Sequence, residues 1–221
     1  MNAPAGQAPA ELDTDCCDTL LSTTRSVRRS MDLDRPVPRS VIEDCLRLAL
    51  QAPNGLNRQN WRWLLITDPR RREQVAEIYR RAFDARFEAA DTTGGVLRDA
   101  RLLAGRLHRV PVLVLPCLQL GRPLPPGNQA GVWASLLPAV WSFSLAARSR
   151  GLGTTLATCH LDLESELAHL LGLPEHVYQG PLIATAYTTR PKFGPARRRP
   201  LEEVLHMDGW NGAFATAGAG L

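Results

Sequence analysis

The stretch Ala52-Pro53-Asn54-Gly55-Leu56-Asn57-Arg58-Gln59-Asn60-Trp61 joins two segments of different periodicity. Before it, Ser40 to Leu50 puts Val41, Ile42, Cys45, Leu46 and Ala49 on one apolar stripe, the spacing of a helix packed on a core. Ser40 and Glu43 read as a capping box following Pro36 and Pro38. Pro53 and the Asn54-Gly55 pair stop that helix. After the stretch, Trp61 to Thr67 is apolar and β-prone and reads as a buried strand. A loop dense in amides is therefore held between two rigid elements, where function often sits. Asn and Gln offer donors and acceptors together, which suits a heterocycle with carbonyls and ring nitrogens. An Asn-Gly turn whose amides satisfy one another is the alternative reading of the same residues.

Further along, Asp68-Pro69 opens a second helix with Val75, Ile78, Tyr79, Ala82 and Phe83 inward. Asp91 to Arg109 is polar at first and holds a helix near its end. Val110 to Leu118 reads as a second buried strand, which Pro111 and Pro116 place near an edge or shorten. Ala130 to Arg150 reads as a long, nearly all-apolar helix, kinked or restarted near Pro138 and ended by Gly151. Glu164 to Leu171 is a short helix closed by Gly172, and Leu182 to Tyr187 a third strand. Residues 1–18 lack periodicity and are expected to be a mobile tail. With a C-terminal tail at 211–221, this leaves one domain over 19–210. Helices and strands mix within that unit, so the fold class is α+β with helices dominant.

The chain has 221 residues, 44% apolar and 22% charged, which excludes a mostly disordered or collagen-like protein. Its longest apolar run, Val132 to Ala147, is broken by Ser135, Pro138, Ser142 and Ser144, so no membrane span is read. No signal peptide is read either, and a cytoplasmic location is expected. The formal charge is +4, and all but one of the 26 basic residues are arginine, Lys192 being the exception. Such a balance permits nucleic-acid binding, but guanidinium forks suit the phosphate of a small cofactor equally well. Five cysteines without a CxxC pair argue against a disulfide framework, and five scattered histidines argue against a metal site.

Three other segments stand out. Thr24 to Arg29 sets Arg25, Ser26, Arg28 and Arg29 within five residues, enough to hold a phosphate or a pyrimidine edge, or simply a solvated basic turn. Leu152-Gly153-Thr154 follows the long helix, and Gly153 lets a ligand or another chain segment approach the backbone. It does not complete a GxGxxG fingerprint. Arg197, Arg198 and Arg199 lie between Pro195 and Pro200 as a second basic loop. His160 follows Cys159, but no third group orients them as a nucleophile pair. No catalytic acid or base is identified.

In this order and spacing, the four segments resemble the FMN-dependent nitroreductase family. The Arg/Ser/Arg motif, the Pro-led helix running into the 52–61 loop, Pro138-Ala139-Val140 before Gly151 to Thr154, and the tail from Arg197 to Val204 with Trp210 all match. The resemblance covers roughly residues 19 to 210. It implies a nitroreductase-like sandwich, a mixed central sheet flanked by helices, in an intertwined homodimer with two FMN sites at the interface. Arg25, Ser26 and Arg28 would hold the FMN phosphate and pyrimidine edge, and Arg197 and Arg199 would reach the phosphate. Pro53, Asn54, Gly55 and Asn57 would contact the flavin held mainly by the other subunit. Leu152, Gly153 and Thr154 would lie along the isoalloxazine. The implied activity is NAD(P)H-driven, two-electron, ping-pong reduction of a nitroaromatic, quinone or similar acceptor, without nucleic acid or membrane. A non-catalytic FMN-binding protein for storage or sensing is the alternative. The sequence departs from the family at Thr24 (often Arg), Ser30 (Phe), Asn54 (Ser), Asn60 (Pro) and Trp141-Ser142 (Gln-Asn), so the substrate side is expected to differ.

Overall fold

A computed structural model describes residues 12–90, 94–190 and 192–210. Its centre is a strand, β2 (Val112–Gln119), whose residues alternate between two cores. Leu113, Leu115 and Cys117 face one side, and Val112, Val114 and Leu118 the other. A strand buried on both faces reads as a continuous apolar run, which is how it was recognisable. β1 (Trp61–Ile66) pairs along one side of it, and β5 (Leu182–Tyr187) and the short β4 (Val177–Gln179) share the other. β3 (Leu152–Ala157) completes the sheet beyond β5, giving the order β1-β2-β5-β3.

Every ladder is antiparallel, and the one parallel pairing among the described residues is an isolated bridge from Ser26 to Thr154. The mixing in the sheet is thus confined to its β3 edge. β2 is the hub of the sheet and not an edge, despite its prolines. The Pro116 carbonyl accepts from Gly180 N at 2.8 Å, so the missing N–H points to the same side. That point falls between Val114, the last residue paired with β5, and Cys117, the first paired with β4. No ladder bond is needed there, and the proline is tolerated.

Helices cover both faces. On one side lie α3 (Pro69–Arg86), α4 (Gly95–Arg106) and α7 (Glu164–Leu171), packing Val75, Phe83, Leu103 and Leu167. On the other lie α2 (Arg39–Ala49) and α6 (Leu137–Ser149), packing Ile42, Cys45, Val140 and Phe143. A single turn, α5 (Ala130–Trp133), precedes α6, so the long apolar helix is broken, with Pro138 in the first turn of α6. By length and composition alone the run Ala130–Ser149 could cross a membrane, but Ala139, Val140, Phe143 and Ala147 are buried against the sheet.

Four expectations change. Residues 14–18 are not tail: α1 (Thr14–Thr23) starts there, its Asp13 carboxylate accepting from Cys16 N at 2.9 Å. Residues 1–11 and 211–221 lie outside the described residues. The capping box at Ser40 is absent: α2 begins at Arg39 after Pro38, and Glu43 binds Arg39 Nε at 2.6 Å instead. Leu152 to Ala157 is a strand, not only a helix terminus, and β4 was not read at all, so the strand count rises from three to five. Asp68, by contrast, caps α3 as expected, accepting from Arg71 N at 2.9 Å.

Candidate functional site

Two of the sequence segments meet at the β3 edge. Val27 N donates to Thr154 O at 2.8 Å, and the Thr155 hydroxyl donates to Val27 O. Gly153 makes this approach possible: a Cβ there would lie 2.8 Å from Val27 Cβ. The close partner of this glycine is therefore another segment of the chain rather than a ligand. The junction presents Arg25, Gly153 and Thr154 to a narrow cleft that, in the single chain, has no room for a water molecule, with Leu152 buried behind them. Arg25 Nη1 donates to Gly194 O at 3.1 Å, which tethers the start of the late basic loop to the same place. Phe193 closes one wall.

Arg148 was missed by sequence reasoning. It lines the cleft, its guanidinium lies 5.0 Å from the Phe193 ring centroid, and its Nε is buried without a hydrogen-bond partner. A buried guanidinium donor left unpaired is costly unless a ligand accepts from it. The available signal was the one charge carried within the apolar α6.

The remaining predicted residues do not all converge there. Ser26 is exposed at the bridge, without a side-chain hydrogen bond. Arg28 is half-buried beside Tyr79, and its carbonyl accepts from Arg106. Arg197 and Arg199 are exposed and line no shared cleft with Arg25. Pro53, Asn54, Gly55 and Asn57 sit elsewhere, around a second cleft of about 430 Å³ that Gly55 lines with Arg58, Asn60, Gln119, Arg122 and Ser135. Part of the amide set is internally satisfied: Asn54 Oδ1 accepts from Gln59 N, and Asn57 Oδ1 from Gln59 Nε2, both at 3.0 Å. Thus the Asn57 amide oxygen is turned into its own loop, not toward the Arg25 cleft.

The loop is nevertheless under strain. Leu56, Asn57 and Gln59 all have φ between 48° and 55°, and Leu56 is 84% exposed. Left-handed conformations at three non-glycine residues are unfavourable and collect at functional loops. Gly55 N donates to Ser135 Oγ at 3.1 Å, which fixes the loop to the α5–α6 junction. A third cleft near Arg35, Arg72 and Arg109 has its cations committed. Arg72 donates to the His108 and Val110 carbonyls, Arg109 pairs with Asp34, and Arg35 lies over Tyr187.

A family model described as the nitroreductase family matches residues 21–185, which include the Arg25 cleft apart from Phe193, the strained loop and all but the end of the sheet. The chain belongs to the nitroreductase family. It is 24% identical, over 86% of its length and 85% of the relative's, to a Methanothermobacter thermautotrophicus protein whose name offers NADH dehydrogenase or NAD(P)H nitroreductase. It is 24% identical to rat iodotyrosine deiodinase 1, over 84% of this chain and 67% of that protein. Among solved structures, iodotyrosine deiodinase bound to FMN and 3-iodo-L-tyrosine superposes with a TM-score of 0.62 at 23% identity, over 82% of this nitroreductase-family chain and 95% of that one. At that identity the likeness supports the fold.

Proposed function

We propose that this chain is an FMN-dependent oxidoreductase that works as a homodimer in the cytoplasm and passes electrons from NAD(P)H to a small acceptor. The observation that carries the reading is the Arg25–Arg148 cleft. Among the described residues, Arg148 Nε is buried and unpaired, and Arg25 keeps donors free beyond its bond to Gly194. This donor set fits the phosphate and the carbonyl-bearing ring of FMN. When bound, FMN supplies two-electron redox chemistry between a reduced nicotinamide and an electron-poor acceptor. The role of the chain is then to hold and orient: Arg25 and Arg148 bind negative charge, and Thr154 and Phe193 shape the wall.

In the single chain the cleft is closed even to water, against the roughly 300–1,000 Å³ of ordinary ligand pockets, so it must open to take a ligand. A second wall is needed, and a two-fold partner supplies it in this reading. The strained 54–59 loop of one subunit then faces the Arg25 cleft of the other, with Asn54, Gly55 and Asn57 at the joint site. The exposed Leu48, Leu137 and Trp141 on α2 and α6 support such an interface. Trp141 lines neither cleft, which favours an enzyme over a closed flavin store. Free thiols at all five cysteines suit a reducing compartment. The acceptor is a nitroaromatic, a quinone or, by likeness to the deiodinases, a halogenated phenol.

The test is spectroscopic. Purified protein is expected to be yellow and to bleach on anaerobic addition of NADH or NADPH, with colour returning on addition of an acceptor. Arg25→Ala and Arg148→Ala are each expected to weaken FMN binding about tenfold or more, since charge-assisted bonds contribute about 1.5–3 kcal/mol. A colourless protein without FMN affinity overturns the reading, and a yellow one that stays oxidised leaves only flavin binding.

A further inference from the structure

The second cleft has a charge pattern that family membership does not set. Leu120 and Val132 give it apolar walls, and Arg58 and Arg122 both line it. No Asp or Glu is among its lining residues. Neither arginine forms an ion pair among the described residues, whereas Arg80, Arg81 and Arg86 on the far side of the sheet all do. The neutral polar lining, Asn60 and Gln119, cannot offset two cations, and Gln119 N is already committed to Asn60 O at 2.8 Å. Two arginines lining one partly apolar cleft without an acidic neighbour give it a positive potential that favours an anion, and guanidinium forks match carboxylate and phosphate.

The floor is also fixed in place. Ser135 is buried and accepts from Gly55 N, so the loop carrying Arg58 cannot swing away without losing that bond. Its left-handed residues persist because that bond and the Asn54–Gln59 and Asn57–Gln59 bonds hold the turn. Both arginines are exposed, and they stand at the rim of a pre-formed cleft of ligand size.

We propose that the small molecule working at this site carries an anionic group, carboxylate or phosphate, and that Arg58 and Arg122 receive it. The inference rests on the flavin-oxidoreductase reading and adds the charge class of the molecule. The anion has two sources: a carboxylate on the acceptor, or a phosphate of the nicotinamide donor.

The test uses the FMN-loaded protein with Arg58→Gln, Arg122→Gln and the double variant, each first checked for flavin content and melting temperature. The probes are 4-nitrobenzoate and the neutral 4-nitrobenzamide as acceptors, and NADPH and NADH as donors, with half-reactions followed separately. Calorimetric affinity for the two nitro compounds gives a readout independent of turnover. The wild type is expected to prefer the charged acceptor, and the double variant to lower the benzoate-to-benzamide ratio of kcat/KM about tenfold or more, through KM, with the same ratio of affinities falling in parallel. A tenfold loss confined to NADPH against NADH in the reductive half-reaction supports the proposal and assigns the anion to the donor. Equal losses on charged and neutral partners, or none, overturn it. Absence of any flavin bleaching in the wild type indicts the oxidoreductase reading instead, and the affinity ratios still decide the role of the arginines.

Discussion

Helix α3 covers one face of the sheet with Val75, Ile78, Tyr79 and Phe83 inward, and finishes its outer side with ion pairs. Arg80 pairs with Glu77 and Asp84, Arg81 with Glu166, and Arg86 with Asp162. Helix α6 covers the other face with Ala139, Val140, Phe143 and Ala147, yet its outer side shows Leu137 and a Trp141 that is 41% exposed. One helix ends the protein against water; the other leaves apolar surface that a surface helix would replace with charge. Both candidate clefts lie on the side of α6, through Arg148 and Ser135. In the proposed reading the closed face builds the fold, and the open face, with a second copy, builds the site.

The sharpest way to break that contrast is a charge on each side. Trp141→Asp is half-exposed in the free chain, so the protomer is expected to keep its fold. Buried in an apolar interface, an unpaired carboxylate costs about 3–5 kcal/mol, and two-fold symmetry repeats the cost. Dimer dissociation is expected to rise at least a hundredfold, giving a mass near 24.3 kDa by light scattering together with loss of bound flavin. The control, Arg81→Ala on α3, removes an exposed pair contributing about 0–1 kcal/mol and is expected to remain dimeric. A Trp141→Asp protein that stays dimeric with flavin bound disproves the interface.

The closed face carries its own weakness. His160, in the 3₁₀ turn Cys159–Leu163, is wholly buried, and neither ring nitrogen has a partner in hydrogen-bond geometry among the described residues. Burial pushes its pKa from 6.5 down to about 4, against smaller opposing pulls from the Gly180 backbone and Asp162. The unfolded chain then binds a proton between pH 6.5 and 4 that the folded chain refuses. Stability therefore falls as pH drops through that window, by about 3 kcal/mol in total. Denaturant melts of His160→Leu are expected to lose that share of the pH dependence while holding or gaining stability at pH 7. Equal acid losses in both proteins would remove His160 as the cause.

The same contrast explains what the sequence displayed. α3 was readable because it buries one face at the helical period, β1 and β5 because they are short apolar runs, and Asp68 advertises a helix start. β3 was not, because Leu152 to Ala157 combines glycine and two threonines with no alternation, and four of its residues are buried in succession. α1 was hidden by its polar Thr, Cys and Asp content. At the site, Arg25, Gly153 and Thr154 could be named from motif and turn chemistry. Their meeting with Arg148 and Phe193 could not, since the contact spans more than a hundred residues and no local rule encodes it. Arg197 and Arg199 were named for the same phosphate as Arg25 but line no shared cleft with it, whereas the amide loop was expected at the flavin of the other subunit, which a single chain does not test.

The smallest expected effect falls on the seam that joins the open face to the Arg25 segment. Gly153 packs against Val27, which is buried and held on both sides, its N–H on Thr154 O and its carbonyl under the Thr155 hydroxyl. A methyl at residue 153 would lie 2.8 Å from Val27 Cβ and Cγ1 and 2.9 Å from Cγ2. A branched side chain on a tethered backbone cannot rotate away, so the Thr24–Val27 segment must lift from β3. Gly153→Ala is expected to cost about 1–3 kcal/mol, the usual price of overpacking, and to lower FMN affinity by displacing Arg25. Loss of the seam alone would lower stability without saying why, so the decisive measurement is a cycle with Val27→Gly, which removes all three colliding atoms. The double variant is expected to cost at least about 1 kcal/mol less than the sum of the single changes and to recover flavin affinity relative to Gly153→Ala. Strict additivity in the denaturation curves would mean that the glycine serves something other than this contact, and the route from seam to Arg25 would fail with it.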